Sequence, residues 1–149
     1  RDGSMNELIE GVTPVSSALL RAKVIALDKE MRGLPQLDIP IEHHFCEGVY
    51  VRKMTMPAGS CVVGKIHTHS QINACCAGDV SVVTHRGLVR MKAGDIIVCP
   101  EGSKRAFYAH EESVWTVTLR TDETDIEKIE QEFVVETDQQ YLEFQRRIA

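Results

Sequence analysis

His67-Thr68-His69-Ser70-Gln71-Ile72-Asn73 is the stretch whose parity decides how the chain is read. Side chains alternate along a strand, so His67, His69, Gln71, Asn73 and Cys75 share one face and Ile66, Ile72, Ala74 and Cys76 the other. The first set is polar and the second apolar. If the polar face lines a barrel, both imidazoles reach one small volume, where imidazole suits a transition metal or a polar ligand. A bend between His69 and Ile72 would shift the parity of Gln71 and Cys75.

Short strands surround this stretch. Gly48 to Met56 is valine-rich and stops at Pro57-Ala58-Gly59, and Cys61 to Ile66 leads into the histidines. Ile72 to Ala77 ends at Gly78-Asp79. Val80 to Thr84 meets Leu88 to Met91 across His85-Arg86-Gly87, a hairpin turn. Ile96 to Cys99, Ala106 to Ala109 and Val114 to Leu119 complete the set. Short strands at this spacing predict a sandwich or a barrel. Ser16 or Ser17 caps a helix carrying Leu19, Leu20, Val24, Ile25, Leu27 and Met31, which Gly33 and Pro35 end. Pro35 to Pro40 is a connector. Thr124-Asp125-Ile126-Glu127 fits a capping box, with Ile126, Ile129 and Phe133 at helical spacing behind it. The tail 137–149 is polar, either frayed or a short helix.

The chain has 149 residues, which fits one domain over 5–136, with Arg1-Asp2-Gly3-Ser4 ahead of Met5 set aside as a cloning remnant. A net charge of −5 argues against a nucleic-acid binder, which needs a basic face to neutralise phosphates. No run approaches the roughly 18 apolar residues of a membrane-spanning helix. Five cysteines, an odd number without repeated spacing, and no signal peptide read as reduced thiols in a cytoplasmic protein. G-x-S-x-G, G-x-G-x-x-G and G-x4-G-K-[ST] are absent, so nucleophile-elbow and phosphate-loop chemistry has no motif here.

The histidine pair, Asn73 and a later G-x5-P-x-G phrase (Gly94, Pro100, Gly102) together resemble the cupin superfamily. Its motifs read roughly G-x5-H-x-H-x3-4-E-x6-G and G-x5-P-x-G-x2-H-x3-N. The resemblance runs from about Gly48 to Phe133. Within cupins, Pro100 to Arg105, Tyr108 to Glu112, Val114 to Thr116 and Thr121 to Glu130 look like small single-domain cupins encoded by bacteriophages. The resemblance implies an all-β jelly-roll barrel with flanking N-terminal and C-terminal helices, His67, His69 and Asn73 inside the cavity, and a homodimer.

The family's metal set is two histidines, a glutamate and a later histidine. Here Asn73 stands at the glutamate position and Arg105 at that of the later histidine. Arginine stays protonated and cannot ligate a cation, so Arg105 favours an anion: carboxylate, phosphate or nucleotide. Lys104 beside it points the other way, at the rim. The candidate ligand-binding residues are therefore His67, His69, Gln71, Asn73, Lys104 and Arg105. The candidate metal ligands are His67, His69 and His110; alternation from Arg105 puts His110 on the opposite face unless a bulge intervenes.

Plainer readings stand beside these. The two histidines can be a hydrogen-bonded core pair, and Arg105 a surface arginine after a loop. His43 and His44 read as a solvated turn, and His85 as exposed. Cys75 or Cys76 paired with His69 is a conceivable nucleophile, but free cysteines are usually small buried hydrophobes. Trp115 shares apolar parity with Val117 and Leu119, with Thr116, Thr118 and Arg120 opposite.

Three functions follow. The first is a binding module holding a small anionic or nucleotide-like ligand, in a phage setting a host signal molecule. The second is a metal-dependent isomerase, dioxygenase or lyase using Fe, Mn, Ni or Zn on His67 and His69. The third is a structural or host-interaction protein with a vestigial pocket. No residue stands out as catalytic.

Overall fold

The structure is a computed structural model and describes residues 17–149. Helix α1 (Ser17–Arg32) opens it, with Lys29 and Arg32 in its last turn, where cations suit the helix dipole. Gly33 and Leu34 close the helix by donating their amides to Glu30 and Met31 carbonyls. Ser16, one of the two expected caps, lies outside the described residues, as does Arg1-Asp2-Gly3-Ser4.

Eleven strands follow: β1 (Ile41–Cys46), β2 (Val49–Met56), β3 (Cys61–Val63), β4 (Ile66–His67), β5 (Gln71–Ala77), β6 (Asp79–Thr84), β7 (Gly87–Lys92), β8 (Ile96–Cys99), β9 (Ala106–Ala109), β10 (Ser113–Arg120) and β11 (Val134–Val135). Helix α2 (Ile126–Phe133) precedes β11, and α3 (Asp138–Ile148) ends the chain. One sheet runs β1-β2-β10-β5-β8, the facing one β3-β9-β6-β7, and β4 pairs only with β11. Every pairing is antiparallel. This is the expected all-β jelly-roll barrel with helices outside both ends.

Alternation builds the core. Tyr50, Met54 and Met56 of β2, Trp115, Val117 and Leu119 of β10, and Ile97 and Cys99 of β8 turn inward. Val80 and Val82 of β6, Val89 and Met91 of β7 and Phe107 of β9 meet them from the other sheet. Phe107 packs edge-on against Trp115, ring centroids 5.0 Å apart. Ile129 and Phe133, one helical turn apart on α2, cap one end of this core.

β1 breaks the expected order: His43 and His44 lie within a strand, not a solvated turn. Its residues after Ile41 are all exposed, so no alternation betrays it; it is an edge strand held only by β2. At α2 the cap is Asp125, whose carboxylate accepts from the Glu127 and Lys128 amides at 3.0 and 3.4 Å. The polar tail is a helix: Thr137 and Gln140 form a reciprocal capping box, and Phe144 is buried. The His85-Arg86 turn between β6 and β7 is as expected.

All five cysteines are free; Cys75 and Cys99 are buried, the other three exposed. No helix among the described residues is long and apolar enough to cross a membrane.

Candidate ligand site in the barrel

Backbone geometry brings the two sequence phrases together. The His67 amide donates to the Ser103 carbonyl at 2.9 Å, and the Gly102 amide returns a bond to the His67 carbonyl at 2.7 Å. The turn holding Pro100 and Gly102 is thus laced to β4, and it delivers Arg105 to the interior just before β9. The Arg105 guanidinium donates to Gln71 Oε1 at 2.6 Å, to Ser103 Oγ at 3.3 Å and to His67 Nε2 at 3.1 Å.

The network continues into the core with every orientation determined. Indole Nε1–H of Trp115 only donates, so Asn73 must present its oxygen, at 3.0 Å. The Asn73 amide nitrogen then donates to Gln71 Oε1 at 2.8 Å, and Gln71 Nε2 donates to the His69 carbonyl at 3.0 Å. Gln71 Oε1 accepts from both Asn73 and Arg105, which is why a buried glutamine suits this position.

Arg105 is 3 % exposed, and no carboxylate among the described residues lies within ion-pair distance of it. Burial pushes its guanidinium below the usual value, yet arginine keeps its charge in proteins. The same burial, followed by the charges of Arg105 and then Arg52, pushes His67 down to about 3. His67 is therefore neutral. Arginine has only protons to offer, so His67 Nε2 is the acceptor and Nδ1 carries the ring proton. That Nδ1–H and Arg105 Nε–H are both buried without a protein partner.

Beside this pair lies a cavity of about 240 Å³. Its walls are mostly apolar: Met54, Val62, Phe107, Trp115, Val117, Leu119, Ile129 and Phe133. Its polar lining is His67, Arg105, Arg52, Lys65, Tyr50 and Glu130. Burial pushes the Tyr50 phenol up, and its hydroxyl sits 2.7 Å from His43 Nδ1.

The expected site residues divide into two groups. His67, Gln71, Asn73 and Arg105 form one hydrogen-bonded unit, with His67 and Arg105 on the cavity wall. His69 is elsewhere. β4 ends at His67, so alternation does not carry through, and the His69 ring packs between Phe133 and Phe144 at 4.8 and 5.5 Å. Thr68 makes the break: it is 1 % exposed, and its hydroxyl donates to the Glu132 carbonyl at 2.7 Å. Lys104 is not at the rim. Its ammonium is buried against Asp28 at 2.9 Å and the Gly64 carbonyl at 3.0 Å, pinning α1 to the barrel. His110 is exposed on the outer face and meets Ser81 Oγ at 2.7 Å.

These donors do not fit a metal. One His67 nitrogen is occupied by Arg105 and the other is protonated, so no lone pair is free. His69 and His110 are in separate environments, and a guanidinium repels a cation from the spot. Among the described residues no group of three His, Cys, Asp or Glu side chains converges.

Arg52 is the residue that the sequence reading passed over. It shares inward parity with Tyr50, Met54 and Met56 on β2 and lines the cavity. A charge on an otherwise apolar face was the available signal.

No protein-family profile and no curated protein matches the chain. Solved structures do. KdgF from Halomonas sp. is 17% identical with a TM-score of 0.51, covering 64% of this chain and 93% of that one. The cupin domain of Schizosaccharomyces pombe Cnp3 is 18% identical with a TM-score of 0.49, covering 68% and 76%. A cupin superfamily protein from Desulfitobacterium hafniense is 9% identical with a TM-score of 0.49, covering 60% and 83%. At these identities the likeness is one of fold, and the fold is a cupin-type jelly-roll barrel.

Proposed function

We propose that the barrel binds a small organic anion with an apolar body. The observation that carries this is Arg105: a buried guanidinium with no acidic partner among the described residues, on the wall of an apolar cavity. An isolated buried charge is costly, and an anion seated against it removes that cost. The neutral His67 supports the reading, because its Nδ1–H adds a donor and its ring adds no competing charge. About 240 Å³ lies below the roughly 300–1,000 Å³ of typical ligand sites, which favours a one-ring or short-chain acid over a nucleotide. The sequence resemblance to phage-encoded cupins gives the reading its setting, capture of a host metabolite or signal molecule. A homodimer, expected from the same resemblance, is compatible with binding inside each barrel.

Calorimetry and thermal shift with benzoate, hexanoate and AMP test it. A ligand at a hundredfold excess over its dissociation constant should stabilise the fold by about 2.7 kcal/mol. The carboxylates should act more strongly than AMP, and Arg105→Gln should abolish the response. Undiminished binding to Arg105→Gln, or near-stoichiometric metal in untagged protein that is lost in His67→Ala, would overturn the proposal.

A further inference from the structure

The cavity holds a second guanidinium that the anion reading does not use. Arg52 of β2 points inward between Tyr50 and Met54, where its neighbours on the same face are uncharged. Among the described residues it enters no ion pair and no hydrogen bond, in contrast to Lys65, which meets Glu136 at 3.5 Å. In register Arg52 lies opposite Val117 on β10, which lies opposite Asn73 on β5. It therefore starts about 10 Å across the sheet from the network that ends on Arg105, two strand spacings away. Trp115 and Val117 line the wall between them.

From this separation we infer that the ligand carries two anionic groups joined by an apolar spacer, one for Arg105 and one for Arg52. The inference rests on the anion reading above and narrows it. A monoanion on Arg105 would strip water from Arg52 without giving it a partner, and an unpaired desolvated charge opposes binding. A dianion of matching length satisfies both guanidinium groups. The one carboxylate on the lining, Glu130, is exposed and is not within ion-pair distance of Arg52. The class is a short dicarboxylate, aliphatic or with one aromatic ring.

Calorimetry on the full chain with matched probes decides it: hexanoate against adipate, and benzoate against isophthalate and terephthalate, at neutral pH. At least one dianion should bind about tenfold or more tightly than its monoanion. Arg52→Gln should erase that preference by weakening the dianion while leaving monoanion affinity equal or higher, since no unpaired charge is then desolvated, and Arg52→Lys should restore part of the preference. Equal affinity for both members of every pair, or a preference that survives in Arg52→Gln, overturns the two-point inference and leaves the anion reading standing. Loss of all binding in Arg105→Gln is expected under both, and its failure overturns both. Absence of binding by any probe to the unmodified chain also overturns both.

Discussion

Arg105 and His67 meet at 3.1 Å, and that contact decides what His67 can do. A guanidinium cannot accept a hydrogen bond, so the imidazole must. Its remaining nitrogen becomes a donor, and burial, reinforced by the charges of Arg105 and Arg52, takes its pKa down to about 3. A residue that sequence alone marks as a metal ligand is thereby left without a free lone pair.

The first prediction concerns acid stability. His67 titrates at about 3 when folded and near 6.5 when unfolded, so between these values the unfolded chain binds the extra proton. Stability is complete above about pH 6.5 and falls as the pH drops toward 3, with a slope approaching about 1.4 kcal/mol per unit. His85, exposed on the β6–β7 turn as expected yet also lowered by desolvation, adds to the same window. Asp28 and Glu136, held low through their hydrogen bonds to Lys104 and Arg32, add losses only below about pH 5. Denaturant melts between pH 7 and 5 should show the slope, and His67→Gln should flatten it. An unchanged slope in that variant would show that His67 is not the group responsible.

Arg105→Gln should raise the His67 pKa. Removing the neighbouring cation eliminates one of the causes of the depression, while burial keeps the value below the ordinary one. Side-chain nitrogen chemical shifts of His67 followed by NMR give both the value and the tautomer. Proton on Nε2 rather than Nδ1 in the unmodified chain would contradict the assigned geometry.

Asn73→Leu should destabilise by about 2–4 kcal/mol, because it leaves the Trp115 indole N–H without an acceptor and removes one donor from Gln71. Urea unfolding measures the loss. Trp115 is the chain's single tryptophan, so its emission reports this site directly.

Lys104 and Asp28 are tied across 76 positions of sequence. Asp28→Ala should cost about 1–3 kcal/mol, discounted from the full buried-pair value because Asp28 keeps 18% of its side-chain exposure. Amide exchange should quicken first along α1. Replacing both partners, as in Asp28→Leu with Lys104→Met, should cost less than Asp28→Ala alone, since no buried charge is stranded.

Gly78→Ala should cost about 2 kcal/mol or more. Gly78 has φ of +90°, and a Cβ there would run into the Ser113 side chain and the Glu112 carbonyl. Thermal denaturation reads it; the neighbouring turn at Gly59, with φ of +79° but open space around it, is the milder control.

Much of the barrel was legible because its strands are amphipathic. Ile96–Cys99 and Ala106–Ala109 were read to the residue, and β10 to within one at each end. β1 was invisible, since exposure on both faces removes the alternation that announces a strand. His69 was misplaced for a different reason. Parity assumes a continuous strand, and the burial of Thr68 against the Glu132 carbonyl, a contact 64 residues away, ends β4 one residue early. Lys104 was placed correctly opposite Arg105, but only the fold reveals that α1 covers that side. Arg105 itself was found through its offset from Gly102, because a short turn fixes that distance locally.

Gly102 also has a neighbour that no local reading foresees. A Cβ at this position would fall 2.9 Å from the Tyr141 ring of α3, and its carbonyl accepts from Arg21 of α1 at 2.6 Å. The segment that reads as a polar tail, frayed or a short helix, is therefore a buttress behind the turn that aims Arg105. Trimming the chain before Asp138 should loosen the hold on the guanidinium from the far side of the wall, without touching a single residue that lines the cavity.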